Sequence, residues 1–138
     1  MMADTALPRI LCVDDEPNIL AAMERSLFGT FEVEVAGDGE RAIDTLQHHA
    51  PFAVILSDMR MPGMDGTTFL SRARELAPSS VRILLTGEAD LRMTLDAARQ
   101  GVIFGYLSKP CPRQMLLATL GKALAHYRRA RGGTAACA

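Results

Sequence analysis

The chain has 138 residues, a formal net charge of −1 and 49% hydrophobic residues. Such a length suits one domain with its own core, and the balanced charge provides no overall field for holding nucleic acid or an anionic membrane. Its three cysteines lack metal-ligand spacing, and acidic residues at 14–16 interrupt the N-terminus before a signal sequence could form. These features predict a cytoplasmic protein without a membrane span.

The first third of the chain alternates short apolar runs with helical patterns. After a flexible N-terminus over 1–8, residues 10–13 predict a strand that ends at Asp14. Pro17 suits the first turn of a helix, and residues 31–35 alternate apolar and acidic side chains, as an edge strand does. The turn at 37–39 leads into a second helix. The apolar faces of these two helices are Ile19, Leu20, Met23 and Leu27, then Ala42, Ile43 and Leu46.

The same alternation continues to the end of the chain. Strands are predicted over 52–57, 81–85 and 103–107, and helices over 65–77, 90–100 and 112–131. Residues 132–138 are small and predict a disordered tail. The apolar faces of the three helices are Phe69, Leu70, Ala73 and Leu76, then Leu91, Leu95 and Ala98, then Met115, Leu116, Leu120, Leu124 and Tyr127.

Strictly alternating strands and helices with short loops indicate a parallel sheet with helices on both faces. Five strands favour the flavodoxin-like, doubly wound α/β fold with strand order 2-1-3-4-5, within a domain over residues 9–131. In that order the first and third strands are neighbours at the edge where open α/β sheets bind ligands.

Polar residues follow four of the five predicted strands. The first strand ends in Asp14 and Asp15, the third in Asp58, the fourth in Thr86 and the fifth in Lys109. Three nearby carboxylates repel one another unless a cation joins them. Carboxylate oxygens suit Mg²⁺, with Mn²⁺ as a substitute. With a lysine and a hydroxyl donor, this set forms a site for a phosphoryl group on Asp58, since a carboxylate can act as a nucleophile.

Each residue also has a simpler interpretation. The acidic pair before Pro17 could cap a helix, Lys109 could be a solvated surface charge, and Tyr106 could belong to the core. Two other site classes fail on their residues. A haloacid-dehalogenase-type nucleophile would have to lie two residues before Asp65, where Gly63 stands. A calcium loop starting at residue 58 would place an arginine and a proline at ligand positions.

Four motifs in order resemble those of response-regulator receiver domains of two-component systems. They are Val13-Asp14-Asp15-Glu16, Asp58-Met59-Arg60-Met61-Pro62-Gly63-Met64-Asp65-Gly66, Leu85-Thr86-Gly87 and Tyr106-Leu107-Ser108-Lys109-Pro110. The likeness covers residues 9–127, and the second and third motifs look like receivers of hydrogenase and HD-GYP-type regulators.

This resemblance implies a role for each motif. It makes Asp58 the phosphoacceptor, with Mg²⁺ held by Asp14, Asp15, Asp58 and the backbone carbonyl of Arg60. Thr86 and Lys109 would bind the phosphoryl group, and Thr86 with Tyr106 would form the switch pair. The Lys109–Pro110 bond matches a peptide that is usually cis in receivers. The protein would be a phosphoacceptor that assists its own phosphorylation and dephosphorylation, not an enzyme on a separate substrate.

The resemblance also implies partners. A histidine kinase or phosphotransfer protein would supply the phosphoryl group, and the face formed by the fourth helix, fifth strand and fifth helix would bind an output partner or a second copy. Direct contact with nucleic acid is not expected. Arg60 and Glu88 would meet across the open side of the phosphoryl group and form a dephosphorylation gate. The alternative is a receiver-like interaction domain that works without phosphorylation.

Overall fold

Five strands and five helices alternate over residues 6–137, each where the sequence predicts one. The computed structural model describes residues 6–137. The strands are β1 (Arg9–Val13), β2 (Glu32–Ala36), β3 (Val54–Asp58), β4 (Val81–Thr86) and β5 (Gly105–Ser108). The helices are α1 (Pro17–Leu27), α2 (Gly39–His49), α3 (Gly66–Leu76), α4 (Leu91–Arg99) and α5 (Arg113–Cys137), and a 3₁₀ turn, Glu88–Asp90, leads into α4.

The five strands are parallel and lie in the order β2-β1-β3-β4-β5, which confirms the predicted topology. β2 forms one edge, as its alternating side chains indicated. All five residues of β3 are buried, as expected of a central strand covered on both faces. Because β1 and β3 are adjacent, the switch point of the sheet lies between their carboxyl ends.

Each face of the sheet has its own apolar layer. Successive residues of a strand point to opposite faces, so Leu11 and Val13 of β1 join the layer beneath α2, α3 and α4, whereas Ile10 and Cys12 join the layer beneath α1 and α5. Cys12 is fully buried and acts as a small apolar residue. The strand ends are thus supported by packing from both sides.

The apolar face predicted for α4 is exposed, and the helix packs on the sheet through a different side. The residues that α4 buries are Thr94 and Ala97, whereas Leu91 is 45% and Leu95 38% exposed, and Ala98 is also exposed. With about 100° between successive helical residues, the buried side of α4 lies about a quarter turn around the helix from its apolar face. The small side chains of Thr94 and Ala97 let the helix pack closely on the sheet.

Other helices differ from prediction at their ends. Leu76, the last residue of α3, is 39% exposed, and Met115 in the first turn of α5 is 55% exposed. Both side chains point away from the core, whereas the residues that follow them, Ala77 and Leu116, are buried. α5 continues past Arg131 to Cys137, and so includes most of the segment expected to be a disordered tail. Residues 1–5 of the predicted flexible start, and Ala138, lie outside the described residues.

Within residues 6–137, no helix has both the length and the apolar composition that crossing a bilayer requires.

Candidate functional site

The polar residues predicted to form a site meet at one edge of the sheet. The register of β1 on β3 brings their ends level, so Asp14 and Asp58 are neighbours. β4 and β5 bring Thr86 and Lys109 to the same edge, where the Lys109 amide donates a hydrogen bond to the Thr86 carbonyl at 2.8 Å. Asp15 follows at the start of the turn into α1. The structure therefore places all five residues as the strand ends indicated.

Three carboxylates form the centre of this edge. Asp14 is fully buried, Asp58 is 4% exposed and Asp15 is exposed, and one oxygen from each lies within 4.8 Å of the others. Burial raises the pKa of Asp14 above its usual value; the charges of Asp58 and Asp15 add to this, against the opposing effects of the Glu16 amide and Lys109. A cation between the carboxylates would offset this repulsion.

The oxygen atoms available here fit a hard divalent cation. Asp14 Oδ1 accepts a hydrogen bond from the Glu16 amide at 2.9 Å, but its buried Oδ2 has no hydrogen-bond partner. Lys109 Nζ, at 3.9 Å, is too far from that oxygen for a hydrogen bond. Among residues 6–137, no backbone amide donates to the carbonyl of Arg60. An unpaired buried carboxylate oxygen is costly, and a cation such as Mg²⁺ prefers oxygen ligands of these kinds.

Lys109 contacts the central carboxylate directly. Its Nζ lies 2.6 Å from Asp58 Oδ1, and its side chain is 36% exposed. Burial lowers the pKa of Lys109, but the hydrogen bond to Asp58 and the charges of Asp58, Asp14 and Glu16 outweigh this and raise the pKa. The lysine therefore remains charged at neutral pH. The Lys109–Pro110 peptide bond is cis, the isomer that the resemblance implies.

The loop after Asp58 returns to the sheet through Gly66. The Gly66 amide donates to the Met59 carbonyl at 2.8 Å, and a Cβ at Gly66 would lie 2.3 Å from the Asp58 carbonyl oxygen. Only glycine permits this approach. Asp65 then caps α3, because its carboxylate accepts from the Thr68 amide at 2.9 Å. These contacts fix the loop that carries the backbone of Arg60.

Thr86 is 2% exposed, and its hydroxyl already has partners. The hydroxyl of Thr94, in α4, lies 3.0 Å from Thr86 Oγ1 and 2.9 Å from the carbonyl of Asp90. Thr86 Oγ1 also lies 3.3 Å from the Gly87 carbonyl. In this conformation the Thr86 hydroxyl is therefore bonded on the α4 side.

Arg60 pairs with Asp90, so the prediction that it meets Glu88 is wrong. Arg60 Nε donates to the two Asp90 carboxylate oxygens at 3.1 and 2.9 Å, and Arg60 Nη2 donates to Asp90 Oδ1 at 2.6 Å. The Asp90 side chain is 5% exposed. The 3₁₀ turn brings Asp90 inward, and its buried carboxylate offers Arg60 a two-pronged partner that a solvated glutamate cannot match.

Tyr106 lies at the surface of β5 with 39% of its area exposed. The exposed Leu91 and Leu95 of α4 lie on the neighbouring element of the chain. Together with α5 these elements form the surface that we call the α4–β5–α5 face. Its exposed apolar side chains are unlike the polar surface expected of a helix that faces only water.

Comparison with known proteins decides the family. Residues 10–121 match the family model of the response regulator receiver domain. The chain belongs to this family. The fold is thus that of a receiver of two-component signalling, and the sequence prediction of the family is confirmed.

The receiver resembles parts of longer regulators. DNA-binding transcriptional regulator NtrC from Klebsiella pneumoniae is 36% identical over 121 residues, which cover 83% of this chain and 24% of that protein. Hydrogenase transcriptional regulatory protein HoxA from Bradyrhizobium diazoefficiens is 35% identical over 119 residues, or 86% of this chain and 24% of that protein. The chain thus spans about a quarter of the length of these curated relatives.

A solved structure described as an adenylate cyclase from Rhodopirellula baltica has the same fold. It is 35% identical to this receiver with a TM-score of 0.91, and the match covers 95% of this chain and 97% of that one. The shared fold therefore extends over nearly the whole chain.

Two buried polar residues of the receiver were not predicted from its sequence. Asp90 and Thr94 lie one helical turn apart, and both contact predicted site residues. Their spacing of four positions, directly after the Thr86-Gly87 strand end, was the available signal. This spacing was overlooked because the leucines of α4 form a stronger apolar pattern on another face of the helix.

Proposed function

We propose that Asp58 accepts a phosphoryl group from the phosphohistidine of a histidine kinase or phosphotransfer protein, in a reaction that requires Mg²⁺. The observation that carries this proposal is the cluster of three carboxylates with Lys109 Nζ at 2.6 Å from Asp58 Oδ1 and an unpaired oxygen on buried Asp14. Such a cluster needs a cation, and the lysine adds a second positive charge where phosphoryl oxygens would lie.

In the proposed transfer, an Asp58 carboxylate oxygen attacks phosphorus as the bond from phosphorus to the histidine nitrogen breaks. The electron pair of that bond returns to the imidazole of the partner. Lys109 turns from the Asp58 carboxylate to a phosphoryl oxygen, and Thr86 donates its hydroxyl to another. Asp14, Asp15, Asp58 and the carbonyl of Arg60 would hold Mg²⁺, which would neutralise phosphoryl charge when bound.

The output is proposed to pass through the α4–β5–α5 face. Binding of a phosphoryl oxygen would draw Thr86 inward, and the exposed Tyr106 would follow and reshape this face. Leu91 and Leu95 supply apolar area for an output partner or for a second copy of the receiver. The formal net charge of −1 favours protein contact over direct contact with nucleic acid.

The receiver would serve as a phosphoacceptor and not as an enzyme on a separate substrate, although its own residues would assist phosphorylation and hydrolysis at Asp58. A cytoplasmic location belongs to this proposal, because the phosphorylated partner and Mg²⁺ must both reach the site.

Incubation with acetyl phosphate tests this function without requiring the partner. With Mg²⁺, intact mass spectrometry should record the addition of one phosphoryl group, which chelation of Mg²⁺ or the change Asp58→Asn should abolish. The alternative, an interaction domain that works without phosphorylation, predicts no mass change with any small phosphodonor. Labelling of the Asp58→Asn variant at the parent rate would reject Asp58 as the acceptor.

A further inference from the structure

Asp90 and Thr94 are buried polar residues for which the proposed phosphoryl transfer provides no role. Asp90 is 4% exposed and Thr94 is fully buried. Buried polar groups almost always have bonding partners. Here the partners are Arg60 and Thr86, which are themselves residues of the proposed site.

Thr94 determines which way the Thr86 hydroxyl is bonded. Thr94 Oγ1 lies 3.0 Å from Thr86 Oγ1, on the side of α4. It is held there because it also lies 2.9 Å from the Asp90 carbonyl, one turn earlier in the chain. This contact holds the Thr86 hydroxyl on the α4 side, from which it would have to turn to donate to a phosphoryl oxygen on Asp58.

Asp90 anchors this arrangement to the loop after β3. Its carboxylate accepts three hydrogen bonds from Arg60, and Arg60 is two residues beyond Asp58. The pair joins the acceptor loop to the first turn of α4, which carries Thr94. The guanidinium of Arg60 also lowers the pKa of Asp90, so this carboxylate stays ionised at neutral pH. A bidentate bond between these charged groups is stronger and more directional than one between neutral groups.

We propose that Asp90 and Thr94 are positioning residues that hold Thr86 away from the phosphoryl group in the unphosphorylated receiver. The inference rests on the proposed function of Asp58. To bind a phosphoryl oxygen, Thr86 must first break its contact with Thr94. Phosphorylation therefore has to break a contact at the start of α4. Weakening the Thr94–Thr86 contact or the Asp90–Arg60 contact should favour the phosphorylated conformation.

Binding of beryllofluoride, an unreactive mimic of the phosphoryl group, tests this proposal in the presence of Mg²⁺. Thr94→Val keeps the shape of the side chain and removes its hydroxyl. It should bind the mimic about fivefold more tightly, the effect of one neutral hydrogen bond. Thr94→Ser keeps the hydroxyl and should behave as the parent does. Asp90→Asn, which removes the charge of the anchor, should also tighten binding. Calorimetry and fluorine NMR would measure these affinities.

If these residues had a purely structural role, replacing them would also change the affinity of the site for Mg²⁺. The Mg²⁺ affinity of Thr94→Val without the mimic should equal that of the parent, because Thr94 contributes nothing to the acid cluster. Asp96→Asn is the matched control, since Asp96 pairs with Arg99 on the exposed surface of the same helix. It should leave the affinity for beryllofluoride unchanged.

The outcomes separate this inference from the proposed function. If the parent protein fails to bind the mimic at all, the function proposed for Asp58 fails. If the parent binds but Thr94→Val and Asp90→Asn bind equally or more weakly, the positioning role is rejected and the function stands. Should Thr94→Val not fold, the affinity of Asp90→Asn decides between these outcomes.

Discussion

Replacement of Asp14 by asparagine should change stability in opposite directions with and without Mg²⁺. Asp14 is fully buried, and its Oδ2 has no hydrogen-bond partner. Asparagine removes this buried charge and its repulsion with Asp58, while its carbonyl oxygen can still accept from the Glu16 amide. Removing an unpaired buried polar group stabilises a protein by about 1–3 kcal/mol. The loss of the attraction to Lys109 offsets part of this gain.

The net gain without Mg²⁺ should therefore be about 1–2 kcal/mol. For a chain of this size, one kcal/mol shifts the melting temperature by roughly 3–4 °C. We thus expect the metal-free Asp14→Asn variant to melt about 3–8 °C above the parent. The parent should instead gain about 2.7 kcal/mol from Mg²⁺ at one hundred times its dissociation constant, or roughly 9 °C. The variant should lose most of that gain.

The pH dependence of the stability of the metal-free protein provides a second test of the same effect. Because the folded pKa of Asp14 is raised, its penalty is fully present above the raised value. The penalty disappears as the pH falls to the ordinary aspartate pKa of about 3.9. The gap in melting temperature between variant and parent should therefore close over this interval. Thermal denaturation followed by circular dichroism measures both effects. A variant that melts below the metal-free parent, or that gains as much from Mg²⁺, would contradict the role proposed for Asp14.

Three further predictions concern other contacts. Gly66→Ala should lower the free energy of unfolding, measured in urea, by about 2–4 kcal/mol, because its Cβ would overlap the Asp58 carbonyl. Gly121→Ala, in open space on α5, should raise that free energy by up to about 1 kcal/mol. Equal effects of the two substitutions would contradict the packing described. Lys109→Met should slow phosphorylation by acetyl phosphate about 100-fold or more, and an unchanged rate in a quantitative mass assay would exclude its proposed role. Cys12 should resist iodoacetamide until the protein unfolds, because burial and the charge of Glu24 raise its pKa to about 12; rapid labelling in the native state would be inconsistent with its burial.

The sequence predicted the fold and the main site because both depend on where apolar runs stop. Each run ended in a distinct polar residue, and a parallel sheet must bring those ends to one edge. The positions of Asp14, Asp58 and Lys109 thus followed from topology alone. Topology does not determine which face of a helix is exposed. α4 packs on the sheet through Thr94 and Ala97, although its leucines form the more apolar stripe.

The partner of Arg60 could not be predicted because chain spacing does not determine side-chain burial. Both Glu88 and Asp90 follow Thr86 closely, and a glutamate side chain is long enough to pair with Arg60. The 3₁₀ turn buries Asp90 instead, and burial strengthens its bidentate pairing. Likewise, nothing in the sequence reveals which way the Thr86 hydroxyl is bonded, since that depends on a contact between a strand end and a helix.

The most direct test of the central claim is to locate the phosphoryl group by tandem mass spectrometry after reaction with acetyl phosphate and Mg²⁺. We expect a single modification within the peptide that contains Asp58, and on that residue. Modification of another residue, or an intact protein that stays unmodified while binding Mg²⁺, would contradict it.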